Sequence, residues 1–308
     1  MGNSFLLLSA ALIVLQGLKG VGLAAQRAFI ETVDHNTLDS LDMLSAAMSR
    51  FLQTGKRYEK AEAHVLVEKM HVALSTIEQY QNQGIEVVSI FDVAFPNRAK
   101  VDGDYPVLLF CRGNVSLLNA EKALAVIGTR DPEEFVAKSV YRIATRAVES
   151  GFCVISGLAL GCDAIAHEAT LDAEGETVAV LAGCVLKPSP AANRELAERI
   201  VKKNGLLVSE YPPGTSADRF RLVARDRLQS MFSDGLVLGQ STLTGGSMHA
   251  TKATLGLIRP VGAVVQQGRV FEGNTWAIDN GAYALSDRDV LVNFFEACQL
   301  NARSIDGP

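Results

Sequence analysis

The chain has 308 residues, 48% hydrophobic and 20% charged, with a formal net charge of −5 at pH 7. That length allows one large domain or a medium domain with a small one, and the composition is able to bury a core. The acidic balance argues against a protein that coats nucleic acid with its whole surface. It leaves room for a local basic groove, because binding depends on the field at one patch.

Residues 5–15, FLLLSAALIVL, have the apolarity of a signal-peptide core. No Lys or Arg precedes them, they are too short to span a bilayer, and QGLKGVGLAAQRAFI follows without a small-residue cleavage site. They predict a buried first helix in a cytoplasmic protein with no membrane attachment. MGNSFL also lacks the Ser or Thr of a myristoylation signal at residue 6. Helical spacing in LDMLSAAMSRFL and AEAHVLVEKMHVALSTIEQY predicts an all-helical domain over 1–83.

After Gly84 the texture changes to short β-branched runs: EVVSI, PVLLF, ALAVIG, FCVIS, TVAVL, LLVSE, GLVLG and VGAVV. From 123 onward these alternate with helical stretches at 133–149, 163–173 and 191–203. Such alternation predicts an α/β domain over 84–290 with a mostly parallel sheet covered by helices on both faces. Residues 291–308, ending in NARSIDGP, read as a C-terminal tail.

Three strands end in small-residue turns that lead into helices. ALAVIG gives Gly128-Thr129-Arg130, before a helix that Pro132 can open. FCVIS gives Ser156-Gly157, then Gly161 and a helix that Asp163 can cap. GLVLG leads into STLTGGSMHATKATL (241–255), where Ser247 is a candidate cap for the helix carrying Lys252. In a parallel sheet all strand C-termini share one edge, so these turns should gather around one crevice. Helix N-termini there present unpaired N–H groups and partial positive charge, a seat for an anion, and glycine lets the backbone come close to it. Taken singly, each turn is equally a tight connection. None matches GxGxxG with an acidic residue about 20 positions on, nor GxxxxGK[ST], so neither a dinucleotide cofactor nor a Walker-type ATPase is expected, and no cofactor is assigned.

The segment DRFRLVARDRL (218–228) places Arg219, Arg221, Arg225 and Arg227 close together in an otherwise acidic chain. A solvated face is one reading. The other is a phosphate track, since guanidinium groups straddle phosphates by paired hydrogen bonds, with Arg130 and Lys252 beside the turns. Single-stranded nucleic acid needs such a groove and flat surfaces for bases, for which Phe220 and Tyr211 are candidates, as well as being candidates for the core.

Catalytic constellations are poor. His167 lies four residues after Asp163 and reads as a buried or capping group. His249 has no acid partner in sequence, and His35, His64 and His71 lack ligand spacing. Glu210 is the one carboxylate placed where a crevice is expected. Five cysteines (111, 153, 162, 184 and 298) are scattered, odd in number and without CxxC, which points to a reducing compartment and no structural zinc. A binding pocket is expected, with no catalytic residue and no metal.

In order and spacing these motifs resemble the DNA-processing protein A (DprA/Smf) family. The blocks are GIEVVSIFDVAFPNRAKVDGDYPVLLFCRGNVSLLN (84–119), AVIGTR (125–130), VISGLALGCDAIAHEATL (154–171), NRELAERI (193–200), GLLVSEYPPGT (205–215), RDRLQSMFSD (225–234), TGGSMHATKATLGLIRPV (244–261) and GNTWAIDNGA (273–282). The resemblance covers about residues 84–285, and more weakly LQGLKGVGLAAQRAF (15–29), which is similar to a helix-hairpin-helix with Gly20, Val21 and Gly22 offering N–H groups to DNA. It implies an extended Rossmann-like domain preceded by a small helix-hairpin-helix or SAM-like domain. The implied function is a homodimeric, single-stranded DNA-binding protein, not an enzyme, that loads RecA recombinase during natural transformation and recombination. Turns, arginines and blocks together nominate Gly128, Thr129, Arg130, Ser156, Gly157, Asn193, Arg221, Arg225, Arg227, Gly245, Gly246, Ser247 and Lys252 as the DNA-phosphate site.

Some positions depart from the family pattern. Its usual Arg-Asn-Arg is Arg225-Asp226-Arg227, the small residues that follow are Ser230 and Met231, and VGAVVQQG (261–268) lacks the Val-Pro-Gly ending. The length leaves no room for the winged-helix-like domain that many members carry. Two other functions share the glycine turn: a nucleotide sensor, and a nucleotide N-glycosidase of the lysine-decarboxylase-like group. The latter's Pro-Gly-Gly-x-Gly-Thr-x-x-Glu motif is broken here, with Thr244 for the Pro, Met248 in the second Gly-Thr region and no Glu following.

Overall fold

The apolar run at 5–15 lies in a helix that is largely buried from Leu7 onward, while Phe5 and Leu6 are exposed. In the computed structural model, which describes residues 2–33, 40–101, 103–266, 268–269 and 271–305, α1 spans Gly2–Gly17 and buries Leu8, Leu12 and Leu15. After α2 (Leu23–Thr32), α3 (Leu41–Thr54) and α4 (Ala63–Asn82) pack on α1 and on each other. The N-cap of α3 is Ser40, whose hydroxyl accepts the Met43 N–H. Between α1 and α2 the chain turns at Gly20, which has φ +82° and whose Cα lies against the Arg57 carbonyl, 2.2 Å from where a Cβ would sit. A helical hairpin therefore stands where the sequence placed one. No described helix is long and apolar enough to cross a membrane.

The first compact unit runs beyond residue 83, to Phe95, and takes in Pro106–Cys111. The reason is burial: β1 (Glu86–Ser89) pairs antiparallel with β2 (Leu108–Gly113), Val88 and Phe110 are buried, and the Phe110 ring meets Tyr80 of α4 edge-on at 5.9 Å.

The second unit comprises Pro96–Tyr105 and the chain from Arg112. Here strand and helix alternate: β3 (Ala123–Ile127), α5 (Glu134–Glu149), β4 (Cys153–Ser156), α6 (Cys162–Asp172), β5 (Thr177–Leu181), α7 (Arg194–Lys202), β6 (Leu206–Ser209), α8 (Arg219–Met231), β7 (Gly235–Leu238), α9 (Ser247–Gly256), β8 (Val261–Val264), α10 (Glu272–Asp279), β9 (Tyr283–Leu285) and α11 (Arg288–Ile305). The strands lie in the order β6-β5-β4-β3-β7-β8-β9, and every pairing among them is parallel. Period-two alternation sends Leu124 and Val126 into one core with α5, α6 and α11, and Ala125 and Ile127 into another with α9 and α10. Both faces are thus covered, which explains strands that read as continuous apolar runs.

Residues 288–305 are not a tail. They form α11, because Phe294, Phe295 and Cys298 fill the core against Phe152 and Leu285. From β3 the chain steps one way to β6, then returns to place β7 on the other side of β3. The order reverses between β3 and β7, and in an open parallel sheet the crevice for a ligand lies beyond the strand C-termini at that point.

Candidate functional site

The turns after β3 and β7 meet at this crevice and are bonded to each other. Thr129 N–H donates to the Gln240 carbonyl at 2.8 Å, and Gly239 N–H to the Ile127 carbonyl at 2.8 Å. The start of α6 joins them, with Cys162 N–H on the Thr129 carbonyl at 3.1 Å. Gly128 is packed between them: a Cβ there would sit 2.5 Å from Cys162 Sγ and 3.1 Å from the Gln240 nitrogen. The β7 turn is fixed from below by Asn274, buried in α10, whose side chain accepts Ser241 N–H at 3.0 Å and donates to the Gly239 and Val264 carbonyls at 2.9 Å.

Above these turns lies a cavity of about 460 Å³, within the range of about 300–1,000 Å³ usual for small-ligand pockets. Its lining includes Gly128, Thr129 and Arg130 from the first turn, Gly245, Gly246 and Ser247 from the second, and Arg219, Arg225, Asp226 and Gln229 from α8. The N-cap of α9 is Gly246, one residue before the expected Ser247; the Ser247 hydroxyl instead donates to Ser241 Oγ at 2.9 Å. The N–H groups of Gly246 and Ser247 have no acceptor among the described residues, as is usual for the first turn of a helix.

The turn after β4 is built differently. Its amides are already satisfied by a carboxylate of the protein, since Asp163 Oδ2 accepts Gly157 N–H at 3.1 Å and Ala159 N–H at 3.4 Å. Asn193 supports the same loop, donating to the Leu158 and Ala159 carbonyls at 2.9 and 3.0 Å. Asp163 is buried, which pushes its pKa up, while Arg225 and the N–H groups pull it down; the net shift is upward. Gly157 is a glycine because the Arg225 guanidinium lies on its Cα: a Cβ would fall 1.8 Å from Nη1. That Nη1 donates to the Gly157 and Val180 carbonyls at 2.6 and 2.7 Å.

The four arginines of α8 separate into distinct roles. Arg219 is exposed, lines the cavity and stacks its guanidinium 4.6 Å over the Phe220 ring, which is 69% exposed. Arg221 donates to the Ser216 carbonyl and to the N-cap residue Asp218, and lies 5.4 Å over Tyr211. Arg225 points inward. Arg227 makes a paired bond to Glu210, at 2.9 and 2.6 Å, and reaches the Asp104 carbonyl. The crevice carboxylate expected at Glu210 is thus half of an ion pair.

Of the nominated residues the cavity gathers Gly128, Thr129, Arg130, Arg225, Gly245, Gly246 and Ser247. Ser156, Gly157, Asn193, Arg221, Arg227 and Lys252 are not in its lining. Ser156 is buried with its hydroxyl on the Val126 carbonyl, and Lys252 Nζ sits 5.0 Å over the Trp276 ring. Arg219, Asp226, Gln229 and the anchoring Asn274 were not nominated. Arg219 was visible as the first arginine of its cluster, whereas Asn274 offered only a polar residue ahead of an apolar helix.

His167 is fully buried. Thr177 Oγ1 donates to the Val154 carbonyl and so accepts from His167 Nδ1 at 2.7 Å; burial, helped by Arg225, depresses the imidazole pKa to about 3. So weak a base, closed off from the cavity and from solvent, is poorly matched to proton abstraction near pH 7. His35 lies outside the described residues. All five cysteines are buried, and burial lifts Cys153 and Cys162 to about 12, so neither is a nucleophile. Among the described residues no cluster of His, Cys, Asp or Glu is arranged to hold a metal.

Comparison with known proteins agrees with this architecture. The profile of the family described as DNA recombination-mediator protein A matches residues 86–296. DNA processing protein DprA of Bacillus subtilis is 31% identical over 210 residues, 67% of this chain and 70% of that protein. The crystal structure of DNA processing protein A from Streptococcus pneumoniae superposes with a TM-score of 0.73 at 26% identity, covering 89% of this chain and 93% of the other. A Helicobacter pylori DNA processing protein A, described for its single-stranded DNA binding mode, superposes with a TM-score of 0.60 at 26% identity, covering 69% and 94%. With the profile spanning more than half of its residues, this chain belongs to the DNA recombination-mediator protein A family.

Proposed function

We propose that this protein binds single-stranded DNA by its phosphates in the β3–β7 crevice, as a binding protein without turnover. One observation carries the reading: two glycine turns, one with unpaired N–H groups at Gly246 and Ser247, open into one cavity beside Arg130 and Arg219. Gly246 adds a second argument. Its φ of −56° suits any residue, and nothing among the described residues lies within 4 Å of where a Cβ would be. The fold therefore does not require glycine there, while close approach of a ligand does. The relative from Helicobacter pylori, described by its single-stranded DNA binding, supports the ligand class.

Thr129 and Gly245 complete the phosphate seat in this reading, with Arg225 behind it and Ser156, Gly157 and Asn193 acting through the loop they hold. Arg221 and Lys252 would meet the strand only beyond the cavity, and Arg227, paired with Glu210, would support the fold around the site. Family membership supports the finer assignment: a cytoplasmic homodimer that loads RecA recombinase onto DNA in transformation and recombination.

The test is a titration of single-stranded and duplex oligonucleotides at two salt concentrations. Single strands should bind more tightly, with log affinity falling against log salt by about 0.7 per phosphate contacted. Gly246→Ala should bind more weakly while its Tm is unchanged or higher, because Ala gains about 0.5–1 kcal/mol over Gly where the backbone conformation suits both. Retained affinity in that variant would remove the ligand from the α9 N-terminus.

A further inference from the structure

The cavity contains a group that a seat for phosphate does not need. Asp226 is 8% exposed and lines the same space as both turns. One of its oxygens is engaged: Oδ1 lies 3.2 Å from Arg225 Nε, an ion pair without hydrogen-bond alignment, and accepts from Gln229 Nε2 at 3.2 Å. Its other oxygen, Oδ2, has no hydrogen-bond partner among the described residues. Beside it Gln229, 2% exposed and also in the lining, has an unpartnered Oε1.

Neutralising Arg225 does not explain this carboxylate. The guanidinium already gives Nη1 to two carbonyls and has Asp163 as a buried counter-charge. Arg225 therefore faces two carboxylates, Arg130 adds only a charge interaction with Asp226, and acceptor capacity is left over. Buried polar groups without partners are rare and costly, and Gln229 Oε1 is one; Asp226 Oδ2 is not closed off in that way and can accept from a donor that enters the cavity.

The cavity thus offers both kinds of group. The turns bring donors, in the N–H groups of Gly246 and Ser247 and the guanidinium of Arg130. Helix α8 brings the acceptors Asp226 and Gln229 beside the guanidinium of Arg219, with apolar Leu222 and Val223 in the same lining. A nucleotide carries the complementary groups: an anionic phosphate, flat apolar ring faces, and a base edge that can donate. The bases differ at that edge. Thymine shows one N–H between two carbonyls. Guanine shows a ring N–H beside an exocyclic amine, the pair of donors that a carboxylate accepts.

We propose that Asp226, backed by Gln229, reads the donor edge of a base held in this cavity, so that strand binding favours guanine over thymine at one nucleotide. The inference deepens the single-strand reading and rests on it.

Fluorescence anisotropy tests it with an all-thymine oligonucleotide and the same strand carrying isolated guanines, against the wild type and Asp226→Asn. The wild type should prefer the guanine strand about tenfold, within the range of about 1–3 kcal/mol for a good paired base contact. Asp226→Asn should lose that preference and bind the all-thymine strand more tightly than the wild type, because a negative charge has left the phosphate seat. Equal wild-type affinities for the two strands, or a preference that survives in the variant, would overturn the proposal. If neither strand binds, the single-strand reading fails, and calorimetry with dGMP and dTMP then decides the base reading separately. Selective dGMP binding that Asp226→Asn abolishes upholds it; equal or absent binding of the two nucleotides overturns it.

Discussion

The turn after β4 and the turn after β7 look alike in sequence. Each follows a buried strand, carries more than one glycine, and opens a helix. In the structure they are opposites. The β4 turn has its anion built in, because Asp163 takes the Gly157 and Ala159 N–H groups and Arg225 covers the glycine. Among the described residues the β7 turn leaves Gly246 and Ser247 N–H without a partner and Gly246 uncovered. A glycine-rich helix start is therefore a site for an anion, and the neighbouring side chains decide whether the anion comes from the protein or from a ligand.

The strongest way to break this comparison is to put a methyl group on each glycine. Gly157→Ala places a Cβ 1.8 Å from Arg225 Nη1. The guanidinium must leave two carbonyl partners and the Asp163 charge. Overpacking of about 1–3 kcal/mol adds to the loss of charged hydrogen bonds of about 1.5–3 kcal/mol, so destabilisation of about 3 kcal/mol or more is expected in urea unfolding. Gly246→Ala costs nothing in the same experiment. Similar losses at the two glycines would erase the distinction drawn between a filled and an open turn.

Much of this was legible in the sequence. Strand runs, the crevice edge and the converging turns follow from period and from parallel topology, and Leu124 to Ile127 alternate into two cores as such runs must. What a helix buries is also visible, so 7–15 reads as core, although Phe5 and Leu6 at the start of the run are exposed. Less legible was the state of the charged groups. Arg225, Asp226 and Arg227 are consecutive, but a helix sends consecutive residues in different directions, about 100° apart. Arg225 ends beneath a glycine loop, Asp226 at the cavity and Arg227 on Glu210. Nothing local marks Glu210 as its partner 17 positions back, or Asn274 as the anchor of Ser241 33 positions earlier. The C-terminal segment was misread for a related reason: Phe294 and Phe295 can be placed only once there is a sheet face to receive them.

A second, smaller effect sharpens the contrast through pH. Burial raises Asp226 to about 6, with Asp163 adding to the shift and Arg225 and Arg130 opposing it. An unfolded aspartate titrates near about 3.9, so between these values the folded state holds the extra proton. Its contribution to stability is complete below that lower value and is lost as pH rises through about 6. Asp226→Asn should flatten that part of the stability profile and raise stability at pH 7 by on the order of 2 kcal/mol. The same proton cancels a charge in the phosphate seat. Affinity for an all-thymine strand should therefore increase as pH falls through about 6 in the wild type and stay level in Asp226→Asn.

The smallest expected change separates arginines that serve a ligand from those that serve the fold. Arg130 belongs to the open side: it lines the cavity beside the β3 turn. Arg227 belongs to the closed side, with its guanidinium on Glu210 and Asp104. If Arg130 touches one phosphate, Arg130→Ala reduces the slope of log affinity against log salt by about 0.7 with little change in Tm. Arg227→Ala should leave the slope as it is and lower Tm, because Glu210 loses its paired donor in a largely buried setting. A slope that changes for Arg227 and not for Arg130 would place the strand along the outer face of α8. The open turn would then be a structural feature that binds no DNA.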